Sequence, residues 1–239
     1  LNNAVREKRD ILTENESKAF LELYGIKTTK PFAAESEDKA VKLAEKIGYP
    51  VVMKILSPEI THKSDVGGVA LDLQCKDEVR KTFKEMTQKA KEKVPEATIL
   101  GVTIQKMVKN NGHELILGSK KDPVFGSVIL FGMGGIYTEL FKDRAIGFPP
   151  LNQVLAHRII ERTKAYTLLK GFRGLPPVNM TKVEETMIKF SQLIVDHPEI
   201  KEVDINPLIA SGDELIAVDS RIIIDHEPEK HPHLVISPY

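Results

Sequence analysis

The sequence predicts an α+β fold with antiparallel sheets, divided into two units. Strand-like runs come in clusters between helical stretches, without the strict strand–helix alternation of a Rossmann-type sheet. Turn chemistry, Asn110-Asn111-Gly112 and then Asp122-Pro123, joins neighbouring strand candidates by short reversals. Two motif-bearing stretches, Val51 to Leu73 and Glu202 to Ile224, lie far apart in the chain, and 239 residues are enough for two small domains. The expected division is residues 1–106, residues 107–226, and a proline-rich, linker-like tail over 227–239.

The elements follow in order. Residues 14–24 have helical apolar spacing and stop at Gly25. Pro31 to Ala34 is extended. Ser36 is a helix-starting serine before Ala40, Val41, Leu43, Ala44 and Ile47, and Gly48 with Pro50 ends that helix. Val51 to Leu56 and Val69 to Leu73 are β-rich, and Lys76 to Lys93 is a charged amphipathic helix. Thr98 to Met107, Glu114 to Ser119 and Ser127 to Phe131 are strand candidates. A glycine loop spans Gly132 to Tyr137, and helices are expected over Leu151 to Thr163 and Thr181 to Val195. Glu202 to Ile205, Glu214 to Asp219 and Arg221 to Ile224 read as closing strands.

Composition narrows the function. Lys+Arg and Asp+Glu are both 34, so no charge excess steers the chain to nucleic acid or an anionic membrane. No apolar run approaches the roughly 20 residues that span a bilayer. The single Cys75 excludes an internal disulfide framework and fits a reducing, cytoplasmic location. The polar start LNNAVREKRD carries no signal peptide and no methionine, which suggests a processed chain or a domain cut from a longer one.

Candidate chemistry gathers in VVMKILSPEITHKSDVGGVALDL. Lys54 stands in an apolar run that looks buried on both faces, where a cation needs an anionic partner such as phosphate. The alternative is a strand lysine reaching solvent. Gly67 and Gly68 let backbone N–H groups approach phosphate oxygens. His62 lies between them; a lone loop histidine is ordinarily a solvated surface residue, but beside a buried lysine and a glycine pair it is a candidate base, ligand or nucleophile. In the second stretch, Asp204 and Asn206 are two apart on a strand and share a face, with Asp219 on an adjacent strand. Such oxygen ligands suit Mg²⁺, which relies on substrate phosphates and water for its other positions; the alternative is charges at a sheet edge. Gly132-Met133-Gly134-Gly135 can cradle an anion or merely reverse the chain. Gln105 to Val108 leaves one strand before Glu114 begins the next, and such a connector can present backbone groups to a purine edge.

The motifs YPVVMKILSPEITHKSDVGGV, DPVFGSVILFGMGGIYTELFKD, DINPL and AVDSRI, in this order, resemble the ATP-grasp β subunit of ADP-forming acetyl-CoA synthetases, relatives of succinyl-CoA synthetase β. The resemblance covers roughly residues 10–225. It implies an ATP-grasp fold of two α+β subdomains with nucleotide between them, and ATP/ADP and Mg²⁺ as cofactors. Lys54 would bind nucleotide phosphates, and Gly67 and Gly68 would lie in the phosphate-covering loop. Gln105, Lys106, Met107 and Val108 would line the adenine pocket, and Glu114 would hold the ribose. Asn206 and Asp219 would ligate Mg²⁺. Asp204 takes the place of an acidic residue that steadies a phosphohistidine in the succinate enzymes, and His62 matches the histidine that carries the phosphoryl group on a swinging loop. At Gln105 the succinate enzymes carry glutamate.

The family reaction is acyl-CoA + ADP + phosphate ⇌ acid + ATP + CoA. The chain would supply the phosphoryl-exchanging half, and a CoA-binding α subunit or fused α domain would supply the rest. The tail HPHLVISPY also resembles the junction of fused proteins, some of which continue into a GNAT acetyltransferase. That opens a competing reading, a regulatory ligand-sensing domain. Intact His62, Lys54, Asn206 and Asp219 favour catalysis over sensing. They also argue against an ATP-grasp carboxylate–amine ligase, whose chemistry uses no phosphohistidine.

Overall fold

The computed structural model describes residues 7, 9–60, 63–108, 112–135, 143–172 and 176–225. In chain order the elements begin with α1 (Glu14–Leu23), β1 (Phe32–Ala34), α2 (Glu37–Ile47), β2 (Val51–Leu56), a 3-10 turn (Lys63–Val66), β3 (Val69–Leu73), α3 (Lys76–Lys93) and β4 (Gly101–Lys106). They continue with β5 (His113–Asp122), β6 (Gly126–Met133), β7 (Arg144–Gly147), α4 (Gln153–Glu161), α5 (Ala165–Leu169), α6 (Met180–Asp196), β8 (Ile200–Ser211), β9 (Glu214–Ala217) and β10 (Arg221–Ile224). All strand pairs within the two sheets are antiparallel, as the clustering of strands predicts. Among the described residues no helix is long and apolar enough to cross a membrane.

The first unit spans Thr29–Lys109. Its sheet has the order β1-β4-β2-β3. Helices α2 and α3 pack against one face. Helix α2 starts where Ser36 Oγ accepts from Lys39 N (3.4 Å) and ends at Gly48, whose φ of 84° suits only glycine. Ala40, Val41 and Ala44 of α2 and Val79, Met86 and Ala90 of α3 bury their helical stripes against Val51, Met53, Ile55, Val102 and Ile104.

The second unit comprises residues 1–28 and 110–239. Its sheet runs β10-β8-β5-β6-β7, with β9 paired to β8. The inward face of β5, β6, β8 and β10 presents Leu115, Leu117, Phe131, Val203, Ile205 and Ile222 to one apolar cluster. Ile159 and Ile160 of α4 and Val183, Met187, Phe190 and Ile194 of α6 fill its other side.

The expected grouping of residues 1–28 with the first half differs from their packing. Leu12 N donates to Ile222 O (3.0 Å) and Ile224 N to Asp10 O (2.7 Å), so this segment covers the β10 edge of the second sheet. Leu12, Leu21 and Ile26 are buried in the second core. Sequence order put α1 beside β1, whereas apolar burial and an open sheet edge put it elsewhere. Strand β7 and helix α5 were also absent from the sequence reading. The former has four residues, too few to show a period, and the latter starts where Asp143 accepts from Lys164 N (2.7 Å) and Ala165 N (2.9 Å), a tertiary cap.

Candidate functional site

In both units one sheet face is covered by helices, and the opposite face carries the polar residues that the sequence singled out. In the first unit, Lys54 of β2 stands directly opposite Thr103 of β4, and Val52 opposite Gln105. Directly opposed residues of antiparallel strands point to the same face. Their neighbours Val51, Met53, Ile55, Val102 and Ile104 supply the helix-covered core, so Val52, Lys54, Thr103 and Gln105 share the other face. That face is buried too. Lys54 is 4% exposed and Gln105 0%. The structure therefore removes the solvent-reaching alternative for Lys54.

The continuation of β4 divides its roles. Lys106 is paired with Val51 on the helix-side row, and its ammonium donates to the carbonyls of Gly48 (2.7 Å) and Tyr49 (3.2 Å). Its side chain thereby lies on the face opposite that of Gln105. Met107 N donates to Pro50 O (3.2 Å), and Val108 is the last described residue before 112. The glycine pair is used differently from the sequence argument. Gly67 N donates to Ser64 O (3.0 Å) and Gly68 N to Lys63 O (2.7 Å), closing the 3-10 turn. A Cβ on Gly68 would lie 2.9 Å from Lys63 O and would collide with Ile55, so the close approach of turn to strand requires glycine there. Phosphate contact with these amides requires the turn to open. His62 lies outside the described residues, as do Thr61, the segment 136–142 and the tail 226–239 with its three histidines.

In the second unit Glu114, Gly118, Asp204 and Asn206 lie on the face away from α4 and α6, and register brings them into neighbouring rows. The glycine run holds this group together. Gly134 N donates to Glu114 O (2.8 Å), and Gly135 N donates to Asn206 Oδ1 (2.8 Å). A Cβ on Gly135 would strike the Glu114 carboxylate, and one on Gly134 would strike the Leu115 carbonyl. Of the two readings open for this run, close approach between strands is the one the geometry uses.

Asp219 lies just past β9, in the connection to β10, and not on a strand as expected. Val218 N donates to Pro207 O (3.0 Å), which ties that connection to the Asn206-Pro207 bulge of β8. Asp219 Oδ1 accepts from Ser220 N (2.9 Å). Burial pushes the Asp204 carboxyl above its ordinary range, and the negative charges of Glu202 and Asp219 add to that; Arg221 and Arg144 pull it down without prevailing. Arg221 is the β10 residue opposite Asp204, and Arg144 is the β7 residue opposite Gly132. The sequence reading passed over both arginines and Thr103. Only the step of two from Asp219 to Arg221 hinted at the former.

The donor set suits a hard cation. Asn206 Oδ1 keeps a second lone pair beyond its bond to Gly135, and Asp219 contributes a carboxylate. Among the described residues no group of three or more His, Cys, Asp and Glu could hold a metal by itself. An amide oxygen and a carboxylate are hard donors of the kind Mg²⁺ takes, with phosphate oxygens and water in its other positions.

Comparison with known proteins bears on this arrangement. The ATP-grasp domain family model matches residues 3–224. The β subunit of ADP-forming acetate–CoA ligase I from Pyrococcus furiosus is 43% identical over 213 residues, covering 89% of this chain and 91% of its own length. The single-chain ADP-forming acetate–CoA ligase I of Archaeoglobus fulgidus is 41% identical over 87% of this chain, which spans only 30% of that protein. A structure of the dinucleotide-forming acetyl-coenzyme A synthetase 1 of Candidatus Korarchaeum cryptofilum contains coenzyme A and Mg-AMPPCP, with its phosphohistidine segment pointing towards the nucleotide-binding site. It is 38% identical, covers 93% of this chain and 97% of that one, and has a TM-score of 0.81.

Proposed function

We propose, from the premise that this chain belongs to the ATP-grasp family of ADP-forming acetate–CoA ligase β subunits, that it exchanges a phosphoryl group between ATP/ADP and His62. The observation that carries this is the buried Lys54, held beside Gln105 on a sheet face that its own unit's helices leave open. A lysine ammonium at that position is a suitable point-charge contact for a nucleotide phosphate.

Each side chain then has one task. Lys54 draws the phosphates to β2. Gln105 and the backbone of Lys106, Met107 and Val108 line the base pocket, and Glu114 accepts from the ribose hydroxyls. Gly67 and Gly68 cover the phosphates when their turn opens. Asn206 and Asp219 would hold Mg²⁺, which supplies charge neutralisation at the transferring phosphate. A ring nitrogen of neutral His62 uses its lone pair to form the N–P bond as the P–O bond to ADP breaks. In the return direction an ADP oxygen attacks phosphorus and the imidazole leaves. Asp204, by its match to the family's acidic residue, is assigned to steady the phosphoimidazole.

The acyl chemistry requires CoA-binding machinery that this chain does not contain. Its partner is an α subunit or α domain, as the designation of one relative as a β subunit and the greater length of the other support. The relatives described above are named as ligases or synthetases, and no observation favours a GNAT-linked sensing role. We assign the chain to the cytoplasm on its one cysteine and its lack of a membrane-spanning helix among the described residues.

The test is an acid-labile, base-stable label on the protein after mixing with γ-labelled ATP and Mg²⁺, with the CoA-binding partner present. His62→Ala is expected to abolish the label while nucleotide affinity stays within about twofold, because ground-state binding does not need the imidazole. A label that persists in His62→Ala removes the histidine from the mechanism.

A further inference from the structure

We propose that the Thr103 hydroxyl is a further nucleotide contact, bonding an acceptor atom of bound ADP or ATP between the phosphate end at Lys54 and the base end at Gln105. The inference rests on the nucleotide reading above. Its own support is geometric. Thr103 stands directly opposite Lys54 across the β2–β4 pair, and Gln105 is the next residue of β4 on the same face. The row is therefore Lys54 and Thr103, then Val52 and Gln105, with all four side chains on the face away from α2 and α3.

The chemistry of the position is anomalous for a purely structural residue. Thr103 is 4% exposed, and its Oγ1 is buried without a hydrogen-bond partner among the described residues. A hydroxyl removed from water and left unbonded opposes folding. Valine has nearly the same shape and avoids that cost, and Val52 occupies the neighbouring row at the same 4% exposure. The surrounding strands do not satisfy Thr103. On either side of it stand the groups assigned to the two ends of a nucleotide, so the missing partner is an acceptor on that ligand. A hydroxyl has one proton to donate, and its orientation is free to follow the ligand.

The experiment is calorimetric titration of the full chain with Mg·ADP, together with thermal melts without nucleotide. Thr103→Val is expected to weaken ADP binding by about 3–10-fold, the scale of one neutral hydrogen bond. Its unliganded Tm should equal or exceed that of the unsubstituted chain, because a buried unbonded hydroxyl has been removed. Thr103→Ser should return affinity to within about twofold, since it restores the hydroxyl and lacks only the methyl group. Unchanged ADP affinity in Thr103→Val overturns the inference, as does a lowered unliganded Tm with no loss of affinity, which would reveal a partner inside the protein. Lys54→Ala separates the two levels of argument. If it weakens ADP binding while Thr103→Val does not, the Thr103 contact alone falls; if neither does, the nucleotide reading of this face falls with it.

Discussion

Replacing Asn206 with alanine tests the centre of the second unit, because this side chain serves the fold and the proposed metal at once. Its Oδ1 accepts from Gly135 N at 2.8 Å, the bond that pins the glycine run against β8. Asn206→Ala removes that bond at a partly buried position. The net loss for one neutral hydrogen bond is about 1 kcal/mol. For a chain of this size that lowers Tm by roughly 2–4 °C. The metal effect is larger. Losing one of two protein ligands, on the scale of a charge-assisted bond at ~1.5–3 kcal/mol, weakens Mg·ADP by roughly 10–150-fold. Asn206→Asp separates the two effects. A carboxylate still accepts from Gly135 N, so the Tm of the unliganded protein should recover, and oxygen ligation is retained. The assays are calorimetric Mg·ADP titration and thermal melts without nucleotide. Wild-type Mg·ADP affinity in Asn206→Ala would refute the metal assignment. An unchanged Tm in that variant would refute the role of the Gly135 bond.

Two further expectations concern pH. The Asp204 carboxyl is raised above 3.8 by burial and by Glu202 and Asp219, so its ionised form opposes folding at neutral pH, and that opposition vanishes as pH falls below the unfolded value. Asp204→Asn should therefore raise the Tm of the unliganded protein at pH ~7, and the gain should shrink as pH is lowered towards ~4; a fall in Tm at neutral pH would contradict the electrostatic account. Glu16 behaves oppositely. It accepts from Arg9 (2.9 and 3.1 Å) and from Thr13 N (2.8 Å) in the capping box of α1, and the Arg9 bonds pull its carboxyl down to about 2. That stabilisation is present above the unfolded value of 4.5 and is lost as pH falls towards 2. Solvent screening at a carboxylate one-third exposed limits it to about 1 kcal/mol. Glu16→Gln should lower Tm at neutral pH, and its curve should converge on wild type only as pH falls to about 2; parallel curves from pH ~5 to ~2 would show that the ion pair contributes nothing.

Much of the architecture was legible where local chemistry and final position agree. Ser36 and Gly48 bracket α2 because a hydroxyl cap and a positive-φ residue act within one turn of chain. The apolar run around Lys54 announced a buried cation, because a strand flanked by valines, methionine and isoleucine has no solvated face to offer. The likeness of its motifs to ADP-forming acetyl-CoA synthetases named the family, since residue identities in order need no knowledge of packing.

Tertiary structure decided what local chemistry could not reach. Residues 10–28 read as the start of the first unit, but β10 has an open edge far along the chain, and Leu12, Leu21 and Ile26 complete that core. The glycines at 67 and 68 suggested free amides, and only the folded turn shows those amides bonded to Ser64 and Lys63. Gly135 became the donor to Asn206 through a contact 71 residues long in sequence. Arg221 gained meaning only when register set it opposite Asp204, and Thr103 only when register set it opposite Lys54. Sequence by itself determined the composition of this protein's elements and the residue types available for its chemistry, because propensity, capping and burial pattern act over a few residues. The pairing of distant strands decided which of those residues share a face, because register is set by long-range burial and backbone bonding that no short stretch of chain contains.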